Sequence, residues 1–195
     1  MVKKTKKEEI YKIAAKIFGE KGYDGTSLDE IALKAKVAKG TIFYYFSNKE
    51  ELFLSLIDRG MDVLTDKITK IDKQKISSGE KLRLVIECHF MFFKKYRSVG
   101  MMILNQLGYL QKRWNKRLDE AKRKYISVMQ KIIIEGKEDG SIANDLKTDG
   151  IIISLFSLLA AVGLDWSIFA VEIAQNTMTE TVKNIVFRGI KSSVK

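Results

Sequence analysis

The chain has 195 residues, of which 46% are hydrophobic and 30% charged, and its 35 lysines and arginines exceed 24 acids to give a net charge of +11. That apolar content supports a buried core and excludes a disordered chain, while the positive surplus points to a polyanion, either nucleic acid or an anionic membrane surface. One cysteine (Cys88), one histidine (His89) and no proline exclude a disulfide framework, cysteine zinc sites and histidine clusters, and favour long uninterrupted helices.

The basic amino terminus is followed by no apolar stretch, so no signal peptide is expected and the cytoplasm is the expected address. Ile10, Ile13, Ala14, Ile17 and Phe18 have the spacing of one buried helix face, and Gly22 supplies a stop. Ser27 and Glu30 form a candidate capping box for a second helix, whose apolar face is Leu28, Ile31, Ala32 and Ala35. A tight connection, Lys36-Val37-Ala38, leads to a third short helix over Lys39 to Tyr45. Ser47 and Asn48, each followed three residues later by Glu50 or Glu51, offer two overlapping capping boxes for a fourth helix running to about Ile71. At 1.5 Å per residue it would be roughly 36 Å long.

A polar connector, Lys73 to Gly79, marks a candidate domain boundary. Ser77 with Glu80 again reads as a capping box. The helix from Glu80 to Tyr96 is apolar on more than one face (Leu82, Val85, Ile86, Phe90 and Phe93, but also Leu84, Met91 and Phe92) and is expected inside a bundle. A short helix over 99–107 and a long one from about Tyr109 to Glu135 follow, then a loop at Gly136 to Gly140 and two last helices, about Thr148 to Asp165 and Glu172 to Gly189. The uncharged run Gly150 to Leu164 has 15 residues, fewer than the roughly 20 that span a bilayer, so no membrane partner is expected. The pattern predicts an all-α protein of about nine helices: a helix-turn-helix domain over residues 1–48, a connecting helix over 48–71 and a helical bundle over 72–195.

Two short helices joined by a tight turn have helix-turn-helix spacing. In Lys39-Gly40-Thr41-Ile42-Phe43-Tyr44-Tyr45-Phe46, Gly40 and Thr41 would let the helix approach a groove and Thr41 would meet a base edge or phosphate. Tyr44 and Tyr45 would offer hydroxyls to phosphate, Lys39 and Lys49 charge, and Ile42 and Phe46 would face the core. Thr26 and Ser27 lie at a helix start, where free amides favour an anion. These eight polar or small residues (Thr26, Ser27, Lys39, Gly40, Thr41, Tyr44, Tyr45 and Lys49) are the candidate DNA-binding set.

Residues 10–52 resemble the DNA-binding domain of the TetR (tetracycline-repressor) family of bacterial transcription regulators. The likeness is carried by Ile13-Ala14-Ala15-Lys16-Ile17-Phe18, Lys21-Gly22-Tyr23, Thr26 to Ala32, Val37 to Phe46 and Asn48-Lys49-Glu50-Glu51-Leu52. Two positions depart from it: Ala38 stands where the family often has Ser or Thr, and Phe43 where it usually has Tyr, which removes a cap or contact and one phosphate hydroxyl. The resemblance implies that Tyr45 and Lys49 meet phosphates and that Lys39, Thr41 and Tyr44 lie near bases. It also implies an effector pocket among the central helices, with His89, Phe92, Tyr96, Met102, Trp114, Tyr125, Met129 and Phe156 as candidate lining. By spacing alone these residues read equally as core, His89 as a satisfied interior histidine and Cys88 as inert packing.

A regulator of this kind is expected to repress, leaving double-stranded DNA when a small molecule binds. A single short recognition helix touches few bases, so a homodimer on a two-fold operator is expected. Ile152, Leu155 and Leu159 of one terminal helix would meet Val182, Ile185 and Val186 of the other in a four-helix dimer; the competing reading is that these faces are core of the single chain. A second basic cluster over 94–137, twelve lysines and arginines against three acids, reads first as the wet face of an amphipathic helix and second as a surface for an anion. No catalytic set, cofactor or metal site is expected, since no paired carboxylates with a base, nucleophile elbow or phosphate loop occur. The alternative function is a helical small-molecule or lipid sensor with little specific DNA binding.

Overall fold

A computed structural model describes residues 5–96, 98, 115–160 and 175–190, with 115–119, 121, 160 and 175 as backbone only. Among these residues there are eight helices and no strand. They fall into two compact units, one within Met1–Met61 and Tyr96–Ala121, the other within Asp62–Lys95 and Lys122–Lys195. The expected helix over 99–107 lies outside the described residues.

In the first unit α1 (Lys6–Lys21) starts at Thr5, whose hydroxyl accepts the Glu8 amide at 3.3 Å, and stops at Gly22, whose φ of 72° is the left-handed geometry a glycine terminator supplies. Helix α2 (Leu28–Ala35) is capped by Ser27, which accepts the Glu30 amide at 3.1 Å. The expected capping box is completed on this side only. Glu30 turns to Lys21 at 2.8 and 2.9 Å and to Lys34 at 2.8 Å, because two ammonium groups hold a carboxylate more strongly than one neutral amide. Lys36, at φ 54°, makes the turn into α3 (Lys39–Tyr45), which begins at Ala38 with no side-chain cap, as that departure from the family pattern implied.

The three helices pack on one another around Ile10, Ala14, Ile17, Phe18, Ile31, Ile42 and Phe46. Phe53 of α4 (Lys49–Asp72) joins them edge-on to Phe18 at 5.0 Å. The two capping boxes expected before α4 merge into one arrangement: Asn48 accepts the Glu51 amide at 2.8 Å, and Glu51 reaches one residue further back to the Ser47 amide at 2.6 Å. The 24 residues of α4 make it about 36 Å long. The two units meet within this helix, between Met61 and Asp62.

The second unit is built on α5 (Ser78–Lys95), against which α7 (Thr148–Ala160) and α8 (Gln175–Ile190) pack. Lys183 of α8 bonds Glu87, and the Arg83 guanidinium lies 4.3 Å from the centre of the Phe187 ring. Most apolar side chains of α5 are buried, as its two-faced pattern predicts, but Met91 points outward. Helix α6 (Asn115–Glu138) continues through Gly136, where a loop was expected. A Cβ there would lie 2.7 Å from Ile142 and 3.3 Å from Ser78, so this glycine serves a close approach within the helix, and the turn comes at Gly140, φ 78°. Asp139 then caps α5 by accepting the Ser78 amide at 3.0 Å. Burial opposes its ionisation, but hydrogen bonds from Ser141 and Ser78 outweigh that and hold its pKa at about 2.

Candidate nucleic-acid interface

Helix α3 divides into two faces. Ile42 and the following Phe46 are buried in the unit's core, as expected. Tyr44 is 82% exposed, Phe43 is exposed, and a Cβ on Gly40 would meet nothing within 4 Å. Thr41 and Tyr45 are half-buried beside this open face, with the Tyr44 and Tyr45 rings edge to face at 4.9 Å. Lys39 is exposed at the head of α3, and its ammonium donates to Asp29 of α2 at 2.9 Å. Asp29 was not among the residues singled out from the sequence; the only available signal was its place in the first turn of the preceding helix. Ser27 is exposed at the start of α2, with its hydroxyl oxygen serving the Glu30 amide.

Two residues of the candidate set turn inward. Thr26 is 3% exposed, and its hydroxyl donates to the Gly22 carbonyl at 2.7 Å, so it closes the turn between α1 and α2 and has no hydroxyl proton left for a phosphate. Lys49 donates to the carbonyls of Tyr23 and Thr26, each at 2.9 Å, with its ammonium 4.3 Å from the centre of the Tyr23 ring. It pins the same turn from the start of α4. The unit has a further fastening that the sequence did not reveal. Arg59 of α4 grips Glu8 of α1 with two hydrogen bonds of 2.7 and 2.8 Å and lies over Tyr11, which in turn meets Phe46 edge-on at 5.2 Å. The partners are far apart in sequence, and no local spacing announces them.

In the second unit His89, fully buried, donates through Nδ1 to the Val85 carbonyl at 2.8 Å and accepts through Nε2 from the Tyr125 hydroxyl at 3.0 Å. Burial lowers its pKa to about 4 and pushes the Tyr125 phenol up. Tyr125 meets Phe156 edge-on at 6.0 Å, and Phe92 and Met129 are buried in the same unit. Tyr96 is half-buried and is counted with the first unit; Met102 and Trp114 lie outside the described residues. Cys88 is buried, and desolvation raises its thiol pKa, which disfavours the reactive thiolate.

The expected dimer residues divide unequally. Ile152, Leu155, Leu159, Val182 and Val186 are buried within the single chain. Ile185 is 58% exposed, and on α7 it is Ile153, at 66%, that faces outward. Among the described residues no helix is long and apolar enough to cross a membrane.

Residues 10–56 match the family described as "Bacterial regulatory proteins, tetR family", and residues 75–164 match "Tetracyclin repressor-like, C-terminal domain". The chain is similar to the fatty acid metabolism regulator protein of Bacillus subtilis (strain 168), with 29% identity over 144 residues, 74% of either chain. Among solved structures it is similar to the fatty acid degradation regulator FadR of Bacillus halodurans, with a TM-score of 0.79, 25% identity and coverage of 96% of this chain and 97% of that one. FadR of Bacillus subtilis in complex with stearoyl-CoA gives a TM-score of 0.78 and 26% identity over 93% and 98%. With these two matches in sequence order and a helix-turn-helix presenting one open face, the chain belongs to the TetR family of bacterial transcriptional regulators.

Proposed function

We propose that the chain is a cytoplasmic homodimeric repressor that leaves its operator when a long-chain acyl thioester of coenzyme A binds the second unit. The observation that carries the DNA-binding half is the division of α3, with Ile42 and Phe46 held in the core while Gly40, Phe43 and Tyr44 stand open. A helix anchored on one face and open on the other is what entry into a major groove requires. Thr41 and Tyr44 read bases or phosphates there, and Ser27, Lys39 and Tyr45 form the rim. Thr26 and Lys49 hold the turn behind it.

Support for the effector comes from the relatives. One is a fatty acid metabolism regulator, and another was solved with stearoyl-CoA bound. The buried Phe92 and Met129 and the half-buried Phe156, beside the hydrogen-bonded His89 and Tyr125, suit an acyl chain, whose binding gains come from apolar burial. Release then follows by population shift, the acyl-CoA binding better to the form that fits DNA less well.

Fluorescence anisotropy with a duplex from upstream of the chain's own gene tests this. A specific complex with Kd of about 10 nM or tighter is expected, weakened about tenfold or more by stearoyl-CoA but not by coenzyme A or stearate alone. The absence of any specific complex favours the sensor with little DNA binding, and a complex indifferent to stearoyl-CoA refutes the effector.

A further inference from the structure

The last residue of α4 is a buried acid. Asp72 is 8% exposed, and its two oxygens receive lysines from two different helices: Lys81 of α5 on Oδ1 at 3.5 Å and Lys131 of α6 on Oδ2 at 2.6 Å. Lys81, 7% exposed, donates onward to Glu135 of α6 at 2.7 Å, and Lys131 lies 3.6 Å from the other oxygen of Glu135. Two carboxylates and two ammonium groups thus alternate around a closed ring that ties α4, α5 and α6 together.

Stability alone does not account for this ring. Removing two charges from water costs several kcal/mol each, and well-packed apolar side chains of the same volume commonly do as well or better. Asp72 is also the wrong sign for its place, because the carbonyl end of a helix carries partial negative charge. What the ring supplies is a single geometry. A carboxylate held between two lysines from separate helices fixes where α4 ends, whereas an apolar contact would let it slide. The same helix begins at Lys49, three residues after Phe46 closes α3.

We propose that Asp72 is a positioning residue for operator binding. With Lys81, Lys131 and Glu135 it fixes the course of α4, and thereby the spacing of the two recognition helices in the dimer, although none of the four touches DNA. The inference rests on the dimeric-regulator reading above.

The test compares Asp72→Asn and Lys131→Met with the unaltered chain, on the two-fold upstream duplex and on a duplex carrying half of that site. Folding is checked by circular dichroism melts. Asp72→Asn is expected to weaken the two-fold duplex about tenfold while leaving the half-site within twofold, and Lys131→Met to do the same to a smaller degree. Asp72→Glu, which restores the charge, recovers part of the loss. Folded variants that bind both duplexes as the unaltered chain does overturn the inference, as does equal loss on both, which marks a general structural role. Should Asp72→Asn fail to fold, Lys131→Met decides alone, since that side chain is largely exposed. If the unaltered chain itself shows no preference for the two-fold duplex, the dimer reading fails and the inference fails with it.

Discussion

Lys49 shows how a residue's neighbours redefine its chemistry. Its sequence context gives a cation beside a recognition helix, but its ammonium is bonded to the Tyr23 and Thr26 carbonyls. Hydrogen bonds from a charged donor are each worth about 1.5–3 kcal/mol when removal leaves their acceptors unpaired. Lys49→Met is therefore expected to lower unfolding free energy by about 2 kcal/mol, read by urea titration. It should change the slope of log Kd against log salt by well under the roughly 0.9 per lost phosphate contact. A full unit of slope with no loss of stability would return Lys49 to the phosphate. His89 carries a prediction of another kind. Its pKa is about 6.5 in an unfolded chain and about 4 where burial keeps it neutral. Above pH 6.5 both states are neutral and the folded state carries no penalty. As pH falls below 6.5 the unfolded chain takes up a proton that the folded chain refuses, so stability drops until about pH 4. Between pH 7 and pH 5 this amounts to about 2 kcal/mol. His89→Gln, which keeps an acceptor for the Tyr125 hydroxyl, should remove that part of the pH dependence in the same titration; an unaltered pH profile would mean that His89 is not the group responsible.

At the scale of elements, what sequence disclosed and what it hid separate by range. The limits of α2 and α3, the Ser27 cap, the Gly22 stop and the inward turn of Ile42 and Phe46 all follow from spacing within one or two helical turns, and the structure has each of them. Where sequence failed, a distant partner intervened. Glu30 left its capping role because Lys21, nine residues away, competes for it. Gly136 read as a loop because glycine disfavours helix, yet the helix continues, since only a residue without Cβ fits beside Ile142 and Ser78. Gly19, in the last turn of α1, is a parallel case: a Cβ there would lie 2.6 Å from the Ser98 carbonyl oxygen. Ile152 and Val182 have the alternation of a dimer face, and that same alternation serves equally to pack α7 and α8 on α5. Periodicity shows that a face is buried, but the identity of what buries it is tertiary information. The candidate DNA face was legible because exposure and small size are themselves local properties of α3; Glu8 with Arg59 and Asp72 with Lys81 were not, because each pair joins separate helices.

For the whole molecule the proposed dimer raises the question of which surface would join two chains. A seven-residue recognition helix reads too few bases to select a site alone, so operator binding demands a partner whose α3 faces the same way. Among the described residues of α7 and α8, the exposed isoleucines Ile153 and Ile185 are candidates for such a surface. Ile153 shares its face of α7 with Gly150, Ser154 and Ser157, all exposed and small enough for another helix to approach closely, and Ile185 lies beside Thr181 and Gly189 on α8. Burying an isoleucine gains about 1.5–3 kcal/mol, and a two-fold axis counts each residue twice. Replacing Ile153 and Ile185 together by glutamate sets four carboxylates in that surface and is expected to give a monomer in sedimentation equilibrium. Because both side chains face water in the isolated chain, its helical circular dichroism should persist. Affinity for the two-fold duplex should fall to that for a half-site, with half-site binding itself within twofold. A doubly substituted chain that still sediments as a dimer would place the joining surface elsewhere, and one that unfolds in dilute solution would mean that α7 and α8 need the second chain to be stable at all.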